Sequence, residues 1–189
     1  MSRSWSARPL DLLYFIFFCV HIPATLMIDL QGLLPSYVFP APVRKIVPFY
    51  LSISNDPLMA GAFGMNGLPS QWLWFKSFLF LECLFQLPTF LVGIYALWHD
   101  MRKVYPLLLT YGASTFTTLV PVLTVFLTTP VSSTPQKGIH TITPSQLVIL
   151  LASYIPFTIV PLLMTVDMAI RLAKNTGNAE NARQVKKRE

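Results

Sequence analysis

A carboxylate inside an apolar run is the first feature of this sequence that demands a chemical reason. Glu82 lies within SFLFLECLFQLPTFLVGIYALW, residues 77–98, which has the apolar density of a membrane-spanning helix. An acid at the centre of such a helix costs roughly 2.5–3.5 kcal/mol on insertion scales, so it belongs in a bundle interior or a polar cavity. There it can anchor a cation, share a proton or tie helices together. Phe78, Glu82, Phe85, Gln86 and Thr89 repeat at the three-and-four spacing of one helix face, which aims the acid and the amide the same way. Thr110, Ser114, Thr117, Thr118 and Pro121 repeat that spacing on a later run, and Ser153, Tyr154, Phe157 and Thr158 follow on the last. For any one Ser or Thr, a bond to its own helix carbonyl or to a neighbouring helix is the simpler account. The acid needs a better one.

The elements that must position these residues follow from composition. A chain of 189 residues that is 53% hydrophobic and 12% charged is too apolar for a soluble domain. Four runs, at about 10–34, 72–98, 104–127 and 146–172, reach the roughly 20 residues needed to cross a bilayer. They predict an all-α membrane protein: a four-helix bundle over 10–172, preceded by a short segment 1–9 and followed by a basic tail 173–189. Basic residues flank the spans at Arg3, Arg8, Arg102 and Lys103 and crowd the tail, so the positive-inside rule places both termini in the cytosol. That placement also explains the net charge of +6 by headgroups and topology and leaves no case for nucleic acid. Trp5, Trp72, Trp74 and Trp98 fall at span ends, as an aromatic belt requires. Pro23, Pro88, Pro121, Pro156 and Pro161 break the hydrogen-bond ladder of every span, which favours helices splayed around an intramembrane cavity.

The remaining features narrow the chemistry. Cys19 and Cys83 sit inside spans and read as small apolar fillers, and no metal cluster, cofactor motif, nucleophile elbow or glycosylation acceptor is present in the sequence. The connection after the first span carries a hydrophobic piece around 46–53 that is expected to lie along the luminal interface and cap the bundle. The third connection, TTPVSSTPQKGIHTITPS, reads as an exposed loop without chemistry. Asp167 and Arg171 have the spacing of a same-face ion pair, and Asp11 suits a helix start, so both acids are expected to act as interfacial groups worth ~1 kcal/mol or less. Lys186 and Lys187 in the final KKRE are placed as in a dilysine retrieval signal.

Several strings carry a resemblance across all four spans. HIPATLMIDLQGLLP (21–35), SNDPL (54–58), WFKSFLFLECLFQLP (74–88), TFTTLVPVL (115–123) and SYIPFTIVPLL (153–163) resemble the sigma-2 receptor, or transmembrane protein 97, family. That family lies within the EXPERA superfamily of emopamil-binding sterol isomerases. The resemblance implies a four-helix endoplasmic-reticulum protein, a homodimer, with an intramembrane cavity for sterols or oxysterols and cationic amphiphilic drugs. It matches the ligand-anchoring aspartate to Asp29 and its buried partner to Glu82, and it makes Gln86, Thr118, His21 and Tyr154 further cavity positions. It matches Asp56 to an acid of the first luminal connection, where a plain turn also fits. Phe157 stands where the receptor has a tyrosine, and the insert MAGAFGMNGLPSQWL departs from the animal pattern, as would suit a fungal relative.

Three functions are in contention: a non-catalytic sterol-binding regulator of lipid homeostasis or trafficking, a Δ8-Δ7 sterol isomerase, and a factor that assists mitochondrial precursors or other membrane-protein clients. The first is preferred. The isomerases bring more histidine, glutamate and tryptophan into the cavity, whereas His21 is the one intramembrane histidine here and no tryptophan lies mid-span. Two close carboxyls in a low-dielectric site do not both ionise, so Asp29 and Glu82 are expected to share one proton across the cavity floor if Pro23 tilts the first helix. Asp29 then meets an amine or a sterol hydroxyl, with Phe78, Phe85, Tyr154 and Phe157 around the apolar body.

Overall fold

A computed structural model describes residues 3–134 and 138–187, apart from the side chains at 179–183, 185 and 186. Arg188, Glu189 and the Lys186 side chain, which belong to the expected retrieval signal, therefore lie outside the described residues. The described chain is an all-α bundle whose elements are α1 (Pro9–Met27), α2 (Ala41–Arg44), α3 (Ile46–Ser54), α4 (Pro57–Ala62), α5 (Leu73–Leu81), α6 (Leu87–Trp98), α7 (Tyr105–Thr128) and α8 (Pro144–Lys186). A π turn over Glu82–Gln86 joins α5 to α6. Four stretches are long and apolar enough to span a membrane: Pro9–Gly32, Pro69–Trp98, Arg102–Thr128 and Pro144–Asn178.

Their outer faces explain why. Leu13, Ile16, Val20, Phe80, Leu84, Leu91, Val120, Val148 and Ile159 are all exposed, a surface that water would penalise and lipid chains accept. Inside, two apolar clusters form. One, around Tyr14, Phe18, Phe90, Leu108, Tyr111 and Met164, lies toward the chain's beginning and the α6–α7 turn. The other, around Leu58, Phe75, Leu79, Phe126, Ile142 and Leu150, lies under the connections at the opposite end, called the cap end below. Two glycines permit close helix contacts. A Cβ on Gly112 would sit 2.7 Å from the Pro161 carbonyl oxygen, and one on Gly93 would sit 2.6 Å from the Phe18 ring. Small residues at such crossings replace the hydrophobic drive that lipid does not supply.

Local chemistry sets the breaks. Pro23, Pro121, Pro156 and Pro161 lie inside helices, and Pro88 follows the π turn. The α-helical part of the first span stops at Met27 and continues as a 3-10 turn over Asp29–Gly32, so Asp29 projects from a helix end rather than from mid-helix. The basic tail continues α8 without interruption to Lys186, as its Ala, Glu, Arg, Gln and Lys content favours, despite Gly177 and three asparagines.

The connections are more ordered than an exposed-loop reading allows. Residues 57–62 form a short helix that is buried throughout, held by Asp56 at its N-cap, and a Cβ on Gly61 would strike the Trp72 ring. The start of the MAGAFGMNGLPSQWL segment is thus part of the cap's core. In the third connection Ile142 is fully buried, and the Ser132 N–H donates to its carbonyl. Asn55 Nδ2 donates to the Thr141 carbonyl at 2.8 Å, which stitches the two connections together.

Candidate functional site

Between the spans lies a cavity of about 330 Å³ whose wall draws residues from all four. The first span contributes His21, Ala24, Ile28 and Asp29; the second Phe75, Phe78, Leu79, Glu82 and Gln86; the third Thr115, Thr118, Leu119 and Val122; the fourth Ser153, Tyr154 and Phe157. Tyr50 and Met59 close it from the cap. Asp29 and Glu82 are the carboxylic acids on that wall.

Glu82 is held by the first helix. Thr25 Oγ1 donates to Glu82 Oε1 at 2.5 Å, and His21 Nε2 lies 3.4 Å from the same oxygen. His21 and Thr25 are one helical turn apart, so one face of α1 presents both. Asp29 shares the cavity wall with Glu82. His21 is itself boxed by rings, stacked on Phe90 at 4.7 Å with Phe157 at 4.5 Å and Phe17 at 5.3 Å between centroids.

The π turn decides which residues of the second span reach this place. Pro88 has no N–H to offer the Leu84 carbonyl, and its ring crowds the preceding turn, so the ladder shifts by one residue there. The Leu87 N–H bonds back to the Glu82 carbonyl, five residues earlier. Phe78, Glu82 and Gln86 stay on the cavity wall, whereas Phe85 turns away and packs against the Tyr14, Phe18 and Phe90 cluster. The expected ligand contact of Phe85 is thereby corrected: a one-face reading assumes α turns throughout, and the wider turn breaks that register. Thr89 also leaves the face and donates to the Phe85 carbonyl at 2.7 Å.

On α7, Thr110 and Thr117 are exposed and bond their own helix carbonyls at 2.9 and 2.8 Å, as the simpler account has it. Thr118 lines the cavity and donates to the Thr115 carbonyl. Sequence reasoning missed Thr25, Thr115, Tyr50 and Met59. The available signal for Thr25 was its four-residue spacing from His21. Among the described residues, His21 Nδ1 and Thr115 Oγ1 are buried side-chain atoms without a protein partner, and both residues lie on the cavity wall.

Asp56 works at the cap. Its Oδ1 accepts from the Leu58 and Met59 N–H groups at 2.8 and 3.1 Å, and its Oδ2 accepts from the hydroxyls of Tyr50 and Tyr154 at 2.8 and 2.9 Å. Burial pushes the Asp56 carboxyl above the ordinary range, and these four donors oppose the shift. Burial, with the Asp56 charge beside it, pushes the Tyr50 phenol up. Tyr154 therefore offers its ring to the cavity while its hydroxyl is committed to the cap.

At the opposite end the interfacial acids are more enclosed than expected. Asp11 is 1% exposed and bridges two arginines, with Arg171 Nη1 at 2.5 Å and Arg8 Nη1 at 3.4 Å. Asp167 pairs with Arg171 at 2.7 Å and accepts from the Tyr14 hydroxyl. The pairing of Asp167 with Arg171 follows the spacing, but Asp11 is a buried bridge rather than a wetted helix start.

Comparison with known proteins gives this arrangement a context. Residues 42–168 match EXPERA, the EXPanded EBP superfamily. The chain is 34% identical over 163 residues to "Sigma intracellular receptor 2" of Macaca fascicularis, covering 85% of this chain and 88% of that protein. The protein of the same name from Homo sapiens is 33% identical over 170 residues, 89% of this chain and 92% of its own. That from Xenopus tropicalis is 32% identical over 164 residues, 86% and 89% respectively.

Proposed function

The chain belongs to the EXPERA superfamily, within the sigma-2 receptor family, and from that membership we propose that its central cavity binds a sterol or a cationic amphiphilic ligand. One observation carries the reading: a cavity of about 330 Å³ between the four spans, with apolar and aromatic side chains along much of its wall, has two carboxylic acids on that wall, Asp29 and Glu82. Cavities of this size lined by apolar groups with a few convergent polar ones are the common form of a small-molecule site.

Asp29, at a helix end, presents the acceptor for a protonated amine or a ligand hydroxyl. Glu82, fixed by Thr25, shares the cavity wall with Asp29 and keeps it turned toward the ligand. Gln86, Thr118 and the free Nδ1 of His21 orient the polar end, while Phe78, Phe157 and the Tyr154 ring enclose the apolar body. The same reading makes the protein a homodimeric regulator of sterol homeostasis or trafficking in the endoplasmic-reticulum membrane, as the family resemblance implies. Mass spectrometry of lipids retained by the purified protein tests it. A sterol or amphiphile carried by wild type and lost from a folded Asp29→Asn form is expected; equal lipid content in both contradicts it.

A second reading, proton transfer to and from a sterol ring, is favoured by the His21–Glu82 pair inside its box of phenylalanine rings. Sterol profiling separates the two. Δ8 sterols that accumulate in a deletion strain and disappear when this gene is restored, but not its Glu82→Gln form, mean catalysis. An unchanged profile leaves binding as the function.

A further inference from the structure

A second cleft, of about 300 Å³, opens at the end of the bundle away from the cap and is lined by Arg3, Arg8, Arg102, Arg171, Lys174 and Asp11. The cations come from three separate parts of the chain: the segment before α1, the α6–α7 turn and the late part of α8. We propose that this cleft binds the phosphate monoester of an anionic membrane lipid.

Three observations support the assignment. The first is charge. Five cations line the cleft, and among the described residues the acids paired with them are Asp11, Asp100 and Asp167, which leaves two positive charges without a partner there. A phosphate monoester carries about −1.5 to −2 near neutral pH and balances that excess, whereas a diester, with about one charge, does not.

The second is the division of labour among the cations. Arg8 is 4% exposed and its guanidinium is spent on the Leu97 carbonyl at 2.8 Å, the Arg3 carbonyl at 3.2 Å and Asp11. Arg171 is likewise occupied by Asp167 and Asp11. Arg102 and Lys174 are exposed, and no side-chain hydrogen bond to a protein group is found for either among the described residues. Buried paired arginines thus build a rigid floor, and two unpaired cations stand at the rim. That is the arrangement a phosphate needs, since its three oxygens accept charge-assisted bonds from Arg and Lys donors held apart.

The third is depth. Trp5 and Trp98 meet edge-on at 6.0 Å between centroids, Trp98 is 56% exposed, and the Arg8 guanidinium lies 4.5 Å over the Trp5 ring. An exposed tryptophan at a span end marks the headgroup level, which places the cleft where a lipid phosphate sits, and basic pockets between spanning helices are a general form of headgroup site.

The test uses the full chain in detergent, native mass spectrometry, and phosphatidic acid, phosphatidylserine and phosphatidylcholine as probes. Wild type is expected to retain phosphatidic acid at least about tenfold more tightly than phosphatidylserine, and an R102Q/K174Q variant to lose that preference. Binding of an amine ligand in the central cavity and the melting temperature should stay unchanged in the variant, which keeps this outcome separate from the cavity reading. Equal retention of the three lipids, or an unaltered preference in the variant, overturns the proposal. Glycerol 3-phosphate provides the other arm: if it competes as tightly as phosphatidic acid binds, the source is a soluble phosphate and the lipid assignment fails.

Discussion

The Thr25 hydroxyl donates to Glu82 Oε1 at 2.5 Å, joining the first span to the π turn of the second. Thr25 is fully buried. Thr25→Val keeps the shape and removes the donor. A hydrogen bond to a charged or charge-sharing acceptor contributes about 1.5–3 kcal/mol, so the variant's melting temperature should fall measurably. Amine affinity should weaken with it, because Glu82 becomes free to leave Asp29. A Thr25→Val protein with wild-type stability and affinity would show that the contact positions nothing.

The cap depends on Asp56 more than on any single tyrosine around it. Asp56→Ala strands two backbone N–H groups and two phenols in a buried place, at a cost above ~3 kcal/mol, whereas Tyr154→Phe removes one bond at about 1 kcal/mol. Thermal melts of the two variants should differ accordingly. Comparable losses would mean that the cap is held by its apolar contacts.

Asp11 bridges Arg8 and Arg171 while nearly excluded from solvent. Removing one member of a buried ion network leaves uncompensated charge, at about 3–5 kcal/mol, so Asp11→Asn should destabilise far more than an interfacial acid would. Ligand affinity of the folded fraction should remain within about twofold, since no atom of this network lines the cavity. A stable Asp11→Asn protein with weakened ligand binding would contradict both statements.

Arg3 donates two side-chain bonds to Asp100, at 2.9 and 2.7 Å, and holds its carboxyl well below the usual carboxylate range. Because the folded value is depressed, the stabilisation is complete above the unfolded value near ~3.9 and fades as pH falls below it. Asp100→Asn should therefore lower stability at neutral pH by the small amount an exposed pair contributes, leave it unchanged at low pH, and so flatten the acid limb of a stability–pH profile. An acid limb identical to wild type would remove Asp100 from the account.

Much of this architecture is legible in the sequence, because span count and the inward aim of Glu82 and Gln86 depend on local hydropathy and helical period. Phe85 is misplaced by the same period, since Pro88 alone does not announce that the ladder before it widens to a π turn. Thr25 is hidden for a different reason: a span threonine bonds its own helix by default, and only tertiary packing turns this one to Glu82. Ile142 escapes because one buried residue in a Pro, Ser and Thr loop has no periodicity to betray it. Asp56 is visible as a turn acid, but the convergence of Tyr50 and Tyr154 on it comes from chain segments that meet only in the fold.

The central claim is that Asp29 anchors a cationic ligand in the cavity. Equilibrium binding of a radiolabelled amphiphilic tertiary amine to purified wild type and Asp29→Asn protein, matched for melting temperature and elution profile, tests it most directly. Loss of a buried charge-to-amine contact costs about 3 kcal/mol or more, so affinity should drop at least about a hundredfold in Asp29→Asn. A folded Asp29→Asn protein that binds the amine as wild type does would exclude the anchor and leave Glu82 and Asp29 as ties between helices.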